Sequence, residues 1–277
     1  MNESKTLICK TDLDENEVNT AFIQEIHGAV DLLGVFSGSI DNFVDVGGHY
    51  GGHVFAAHHK GVKRIYCFEA SYINCVLTQN LMSTNKIPLS SYKIFNLAAF
   101  NESGKITKLK KVQNKKGAEP ESGQYSIINY DHRSDFNLSE EYESCMTVSV
   151  EDMFELCGIE IINIMKVDIE GAEYDFLMNK DLSNINYMYI EFHLSPEKNK
   201  ELGEHLGKYF EIANAYTHRN DRHFSVTDEH YVNIKDIDFS MEIFHMFLVN
   251  KRISQQTMTT LKENIKDEDV FADETCP

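Results

Sequence analysis

The stretch that most constrains this chain is NFVDVGGHYGG, at residues 42–52. A short apolar run ends at Asp45 and Val46, and four glycines follow within the next six residues. An apolar run of this length is typical of a buried strand, and glycines let the chain turn sharply and let a ligand approach the backbone. The stretch therefore predicts a strand, a ligand-binding turn and the start of a helix. A tight turn without a ligand is the alternative.

Strand-like segments alternate with segments of helical spacing through the rest of the chain. The further strand-like segments are KRIYCFEA, YKIFNLAAF, INIMKVDIEG, NYMYIEFH, FEIANAYTHR and EIFHMFLVN. Short strands that alternate with helices predict βαβ units, and hence a largely parallel sheet with right-handed crossovers. We expect one domain at residues 41–250, preceded by a helical extension at 1–40 and followed by an acidic tail at 251–277. Residues 101–147 are rich in Lys, Gly, Ser and Asn, so they predict an insertion that contains hairpins.

The overall charge of the chain bears on its partners. It carries 26 Lys and Arg against 44 Asp and Glu, a formal net charge of −18. This charge repels phosphate backbones, so it favours a small-molecule or glycan acceptor and disfavours nucleic acid. The sequence has two basic segments, one at residues 217–225 and one formed by the lysines between residues 105 and 116. Each segment is either exposed to solvent or binds an anionic acceptor. Nothing in the sequence predicts the oligomeric state.

Segments for membrane insertion or secretion are not evident in the sequence. No stretch reaches the roughly 18 consecutive apolar residues of a membrane span, and the polar sequence MNESKTLICKTDLDENE is unlike a secretory signal. The six cysteines form no CxxC pair. Cysteines spaced in this way indicate reduced side chains with packing roles, so we expect a cytoplasmic protein.

The glycine turn and an acid on the next strand predict an adenosine ligand. In an open α/β sheet, ligands bind beyond the carboxyl ends of the strands. Asp45, Gly47 and Gly51 form DxGxxxG, which suits S-adenosylmethionine, because a carboxylate attracts its sulfonium and ammonium groups and would repel a pyrophosphate. Glu69 ends the second strand, where a carboxylate can accept hydrogen bonds from both ribose hydroxyls. Nicotinamide dinucleotide enzymes use the same acid, so that ligand stays an alternative, as does a merely solvated Glu69.

A second acidic stretch, IMKVDIEGAEYDFL, brings Asp168, Glu170 and Glu173 within six residues of one another. Carboxylates crowded at the end of a buried strand are costly when they face only each other. We therefore expect them to face a cation, a metal or hydroxyl groups. The alternative is that Glu170 and Glu173 cap the next helix and complement its dipole.

These stretches together resemble the FkbM-type S-adenosylmethionine-dependent methyltransferases. The matching features occur in one order across residues 43–193: FVDVGGHYGG, IYCFEA, NLAAF, MKVDIEGAEYDFL and YIEFH. The resemblance implies a class I methyltransferase fold, a Rossmann-like three-layer α/β/α sandwich whose mostly parallel seven-stranded sheet has one antiparallel strand. It also implies O-methylation of a hydroxyl on a sugar, glycan or natural-product acceptor, with S-adenosylmethionine as the cofactor.

The resemblance also implies site residues. The cofactor-binding set is Asp45, Gly47, Gly48, His49, Tyr50 and Gly51 at the methionine end, Glu69 and Ala70 at the ribose, Ala98 beside the adenine, and Asp168 near the methyl group. Two features depart from the family pattern. NLAAF has no carboxylate for the adenine amino group, and His49 and Tyr50 stand where smaller or amide residues are common.

Methyl transfer to oxygen needs an aligned nucleophile and a group that takes up the hydroxyl proton. Our hypothesis is that His193 or Asp168 is the base and that Glu170 orients the acceptor, because His193 ends the strand YIEFH and histidine titrates near neutrality. A strand-end histidine with local hydrogen bonds is the alternative. These three residues are compatible with a metal, but nothing in their spacing requires one, and we predict none. The rival functions are a nicotinamide-dependent oxidoreductase and a non-catalytic adenosine-ligand binder.

Overall fold

The main sheet of the protein has seven strands. The computed structural model describes residues 15–36, 38–114, 125–128, 136–216, 237, 239 and 244–254. Its strands are β1 (Asn42–Val46), β2 (Arg64–Phe68), β3 (Tyr92–Phe95), β4 (Ala98–Ala99), β5 (Ile106–Asn114), β6 (Tyr125–Ser126), β7 (Phe136–Val148), β8 (Ile162–Val167), β9 (Ile185–Phe192), β10 (Phe210–Tyr216) and β11 (Phe244–Asn250). The main sheet has the order β10-β11-β9-β8-β1-β2-β3.

The strand directions confirm the predicted fold class. Strand β8 pairs with β1, β1 with β2, β2 with β3 and β8 with β9, and all four of these pairings are parallel. Strand β11, by contrast, runs antiparallel to both β9 and β10. A mostly parallel seven-stranded sheet with one reversed strand next to an edge is the class I methyltransferase arrangement. The point at which the strand order reverses lies between β1 and β8, so a ligand site is expected beyond their carboxyl ends.

Six α-helices lie within the described residues. They are α1 (Glu15–Gly34), α2 (Gly52–His59), α3 (Tyr72–Thr84), α4 (Val150–Cys157), α5 (Glu173–Leu177) and α6 (Pro196–Leu206). Ser71 and Ser149 cap α3 and α4 by accepting hydrogen bonds from Asn74 N and Asp152 N, and a left-handed Gly158 ends α4. The segment AEYDFLMNKDL forms a much shorter helix than its pattern predicts, because the backbone becomes extended at Met178.

Apolar residues on the two faces of the sheet form two separate hydrophobic clusters. Phe43 and Ile164 pack with buried residues of α1, α2 and α3, whereas Val44 and Met165 pack with those of α4, α5 and α6. Because successive strand residues point to opposite faces, this alternation gives the three layers that the sequence predicts. Buried charged residues on β1 and β8 are then the exceptions that need partners.

The insertion forms a second, four-stranded sheet of order β4-β7-β5-β6. Strands β5 and β7 form an antiparallel hairpin, and Leu109 and Cys145 are buried with Ala98 in a small apolar cluster of their own. The basic segment at 217–225 and the lysines at 115 and 116 lie outside the described residues, as does the tail after residue 254. Among the described residues, no helix is long and apolar enough to cross a membrane.

Candidate active site

A pocket opens at the carboxyl ends of β1, β2 and β8, between the main sheet and the insertion. Of the residues predicted from sequence, it is lined by Gly47, His49, Glu69, Ala70, Ala98, Asp168 and Glu170. The other predicted residues, Asp45, Gly48, Tyr50, Gly51 and His193, are not part of the lining. The structure therefore brings both acidic motifs to one cavity, although not every predicted side chain reaches it.

Close contacts of the protein with itself explain the glycines of the first turn. Gly47 has a φ of +83°, and a Cβ there would lie 1.7 Å from the Asp168 carbonyl oxygen. A Cβ on Gly48 would lie 2.1 Å from Cys67 Sγ, and one on Gly51 would lie 2.4 Å from Thr78 Cγ2. These glycines allow the turn to lie against β2, α3 and the end of β8, which leaves Gly47 and His49 facing the pocket.

Glu69 connects the glycine turn to the start of α3. Its Oε2 accepts a hydrogen bond of 2.7 Å from His49 N, and its Oε1 accepts one of 2.7 Å from Ser71 N. Burial raises the pKa of Glu69, although these backbone hydrogen bonds oppose the rise. Each carboxylate oxygen keeps a second lone pair, so Glu69 can also accept hydrogen bonds from a ligand.

The side chain of Asp45 faces a buried lysine and does not reach the pocket. Asp45 and Lys166 are direct neighbours in the parallel register of β1 and β8, with 3.4 Å between Oδ1 and Nζ. Lys166 also donates a hydrogen bond of 2.5 Å to the Gly47 carbonyl and lies 3.5 Å from Asp168 Oδ2. Burial alone would lower the pKa of Lys166, but Asp45 and Asp168 raise it above its usual value. Asp45 therefore meets the pocket lining through Lys166, and its place at the methionine part of the cofactor stays a prediction.

The carboxylate at this end of the pocket comes from Glu25 on α1, which sequence reasoning missed. Glu25 Oε2 accepts a hydrogen bond of 2.7 Å from Gly52 N, and Oε1 contacts His49 Nδ1. Burial would raise the pKa of Glu25, but the charge and hydrogen bond of His49 lower it below its usual value. No local pattern in α1 indicates this role, because it depends on how the helix packs over the turn.

His53 is a second pocket residue that the sequence analysis did not single out. It lies on α2, lines the pocket and is 8% exposed. Burial, reinforced by the charge of Lys166, lowers the pKa of His53 to about 3, so the imidazole is neutral near pH 7.

Asp168, Glu170 and His193 meet at the pocket edge. Each offers one ligand atom within 4.8 Å of the others. His193 is 3% exposed, and its Nε2 lies 3.7 Å from Glu170 Oε2 and 3.3 Å from Glu191 Oε1. Burial would lower the pKa of His193, but Glu170 and Glu191 raise it well above its usual value. These carboxylates therefore favour the protonated imidazole.

The Glu173 carboxylate holds the other nitrogen of His193. His193 Nδ1 lies 3.1 Å from Glu173 Oε1, which also accepts hydrogen bonds from Gly171 N at 3.1 Å and Ile169 N at 3.4 Å. Glu173 is fully buried. The side chain therefore holds the turn before α5 together without capping the helix, and it also orients the histidine.

The insertion supplies an apolar part of the pocket lining. Leu109, Tyr125 and Ile127 line the pocket there, and they pack in one apolar cluster with Ala98. Glu143 on β7 anchors the insertion to the start of α3, since it accepts hydrogen bonds from Ser71 Oγ at 3.3 Å and Tyr72 N at 3.2 Å. The part of the pocket beyond Glu69 is thus mainly apolar, in keeping with a NLAAF segment that has no carboxylate.

Comparison of the sequence with protein-family models gives one match, to the methyltransferase FkbM domain, over residues 45–224. The chain belongs to this family. It is an S-adenosylmethionine-dependent methyltransferase, with S-adenosylmethionine as its cofactor. The family match selects this donor over the nicotinamide alternative. The chain matches no curated protein sequence.

Three solved structures with a similar fold are distant from this chain in sequence. M. capricolum TrmK in complex with S-adenosyl-homocysteine is 7% identical, with 80% of this chain and 67% of that chain covered and a TM-score of 0.44. Methyltransferase FkbM from Methylobacillus flagellatus is 14% identical, with 77% and 45% covered and a TM-score of 0.41. An rRNA methylase from Streptococcus thermophilus is 11% identical, with 82% and 96% covered and a TM-score of 0.42. The chain thus spans less than half the length of the FkbM methyltransferase.

Proposed function

We propose that this methyltransferase acts on a hydroxyl oxygen of a sugar, glycan or other natural-product acceptor. The observation that carries the proposal is the position of Asp168. It lines the cofactor pocket and, on its other side, meets Glu170 and His193. A hydroxyl group needs hydrogen-bond acceptors that orient it and take its proton, and this cluster provides them beside the pocket.

Different groups of pocket residues suit the methionine, ribose and adenine parts of S-adenosylmethionine. At the methionine end, the ionised Glu25 is a partner for the ammonium group, next to the backbone of Gly47 and His49. Glu69 is the partner for the ribose hydroxyls, and the apolar wall that includes Leu109 suits the adenine ring. When bound, the cofactor supplies a methyl group that its sulfonium activates.

Within the catalytic cluster, position separates the roles. Asp168 lines the pocket and is 29% exposed at its side chain, so it can contact a hydroxyl group directly and accept its proton. Glu170 also lines the pocket and can orient the acceptor. His193 lies behind Glu170 and outside the lining, so we assign it a positioning role. This assignment narrows the sequence-based hypothesis, in which either Asp168 or His193 is the base.

The proposal includes a small-molecule or glycan acceptor, no nucleic-acid partner and a cytoplasmic location. The net charge of −18 supports the choice of acceptor, because it disfavours a phosphate backbone. Cys67, Cys75, Cys145 and Cys157 are buried free thiols, which supports a reducing compartment.

The test is methyl transfer from labelled S-adenosylmethionine to a panel of hydroxylated sugars, glycans and polyketides, with bulk RNA as a comparison. We expect label on oxygen, and we expect Asp168→Asn and Glu170→Gln to lower the rate by about 100-fold or more. Asp152→Asn is the matched control, since this half-buried carboxylate on α4 lies outside the pocket. Label on nitrogen, carbon or RNA, or full rates in both cluster variants, would refute the proposal.

A further inference from the structure

His53 is a pocket residue to which the proposed function gives no role. It lies in the first turn of α2, lines the pocket and is 8% exposed. Within the described residues, no group forms a hydrogen bond with its imidazole, which is affected only by burial and by the charges of its neighbours. Buried polar groups almost always have a hydrogen-bond partner, because leaving one unpaired is costly. A ligand that fills the pocket can supply this partner.

The other two basic side chains that line the pocket in the described part of the chain already have partners. His49 Nδ1 contacts Glu25 Oε1. Lys166 Nζ donates a hydrogen bond to the Gly47 carbonyl and lies 3.4 Å from Asp45 Oδ1. His53 is therefore the basic side chain of the pocket lining that is available to a ligand.

The surroundings of His53 suit a negatively charged group. The amides in the first turn of a helix have no acceptor within the helix, and their dipoles favour an anion there. In α2, Glu25 accepts a hydrogen bond from Gly52 N, but the first turn has no acidic residue and no side-chain cap. The positive charge of Lys166 also acts on His53, more strongly than the negative charge of either Glu25 or Glu191.

The methionine part of S-adenosylmethionine carries a carboxylate and an ammonium group on the same carbon atom. The proposed function places the ammonium group at Glu25, and Glu25 and His53 lie close enough for the charge of each to affect the pKa of the other. The carboxylate can therefore reach His53.

We propose that His53 is a specificity-determining residue for the cofactor, in which one ring nitrogen donates a hydrogen bond to the methionine carboxylate. A neutral imidazole has one N–H to donate, and a carboxylate oxygen accepts it. The inference rests on the proposed placement of the methionine end at Glu25, and it does not depend on the acceptor.

The test is calorimetric titration with two ligands: S-adenosylhomocysteine and its decarboxylated analogue, which keeps the amine and lacks only the carboxylate. We expect His53→Phe, which keeps a planar ring without an N–H, to bind S-adenosylhomocysteine about 10- to 100-fold more weakly, because a hydrogen bond to a charged group is lost. Its affinity for the analogue should change by less than about 3-fold. His53→Gln keeps an N–H donor, so it should bind S-adenosylhomocysteine at least about 3-fold more tightly than His53→Phe. The control is His59→Phe, the same substitution at an exposed residue of α2 outside the pocket, and it should bind both ligands like the unaltered protein.

Two results would overturn the inference. Equal weakening of both ligands in His53→Phe would mean that the ring only maintains the shape of the pocket, and an unchanged affinity for S-adenosylhomocysteine would mean that it makes no contact with the carboxylate. If His53→Phe does not fold, nitrogen NMR of isotope-labelled histidines in the unaltered protein decides the question. The ring signal that is missing in His53→Gln should shift with S-adenosylhomocysteine and not with the analogue, and the same shift with both ligands would contradict the inference.

Glu25→Gln separates this inference from the proposed function. Both ligands carry the amine, so both should bind more weakly to this variant if the ammonium group lies at Glu25. Unchanged binding of both would refute the placement of the methionine end, and the role of His53 with it. Weaker binding of both to Glu25→Gln, together with full affinity in His53→Phe, would refute the role of His53 alone. These titrations use no acceptor, so methylation of nitrogen or RNA would overturn the hydroxyl acceptor and leave the role of His53 standing.

Discussion

The substitution Gly47→Ala tests whether the residues packed against the glycine turn restrict its conformation. At this position the added Cβ would lie 1.7 Å from the Asp168 carbonyl oxygen, whereas real Cβ atoms essentially never approach closer than 3.0 Å. The obstacle is backbone at the end of β8, so it cannot rotate away as a side chain can. The turn and the Asp168 segment must therefore separate by more than an ångström.

A second glycine provides a matched control. Gly61, at the end of α2, has the same φ of +83°, but a Cβ there would meet nothing within 4 Å. Gly61→Ala therefore has only the cost of a left-handed alanine, about 1–2 kcal/mol. Gly47→Ala has that cost and, in addition, an overpacking cost of about 1–3 kcal/mol or more. The difference between the two variants isolates the close contact.

The measurements are urea unfolding followed by circular dichroism and calorimetric titration with S-adenosylhomocysteine. We expect Gly47→Ala to lose at least about 1 kcal/mol more unfolding free energy than Gly61→Ala. We also expect it to bind S-adenosylhomocysteine at least about 10-fold more weakly, because the displaced turn and Asp168 both line the pocket. Gly61→Ala should keep the affinity of the unaltered protein. Equal stability and equal affinity in the two variants would show that the turn can move freely, contrary to this reasoning.

Three further predictions concern titratable pocket residues. Glu69→Gln should weaken S-adenosylhomocysteine binding about 10- to 100-fold in calorimetry, because a charged hydrogen-bond acceptor is lost. An unchanged affinity would contradict the proposal that Glu69 binds the ribose hydroxyls. Lys166→Met should lower the free energy of unfolding, measured in urea, by about 3–5 kcal/mol, because it leaves Asp45 buried and unpaired. The double variant that also carries Asp45→Asn should recover most of this loss. The pKa of His53 is about 3 in the folded protein, against an ordinary histidine pKa of 6.5. Between these two values only the unfolded chain takes up this proton, so the stability of the fold should decrease as the pH falls from 6.5 toward 3. His53→Gln should make that decline shallower by up to about 1.4 kcal/mol per pH unit, and identical pH profiles would refute the shift.

Local patterns predicted the fold well because each strand of the sheet carries its own signal. The apolar runs around Val44 and Met165 are buried strands, as expected, and their carboxyl ends meet at one edge. The helix after Glu173 is the exception, since the chain leaves the helical conformation at Met178 and takes a φ of +62° at Asn179. The helical spacing of apolar residues continues beyond this point, so the sequence pattern alone overestimates the helix.

Strand ends decide the position of two of the predicted site residues. Glu69 and Asp168 both follow strands of the parallel sheet, so a shared edge brings them to one pocket. The same rule could have paired Asp45 with Lys166, since both are charged residues near the ends of apolar strands. Glu25 is different, because its place beside the turn depends on the docking of α1, which no local pattern encodes.

The contacts at the end of β8 make the two sequence motifs one structural unit. Asp168 N donates a hydrogen bond of 3.0 Å to the Val46 carbonyl, and the Asp168 carbonyl lies where a Cβ of Gly47 would be. Lys166 joins the same strands through Asp45 and the Gly47 carbonyl. A ligand that orders the glycine turn must therefore also order the segment that carries Asp168. Cofactor binding and acceptor positioning are for this reason expected to respond together to a substitution in either motif.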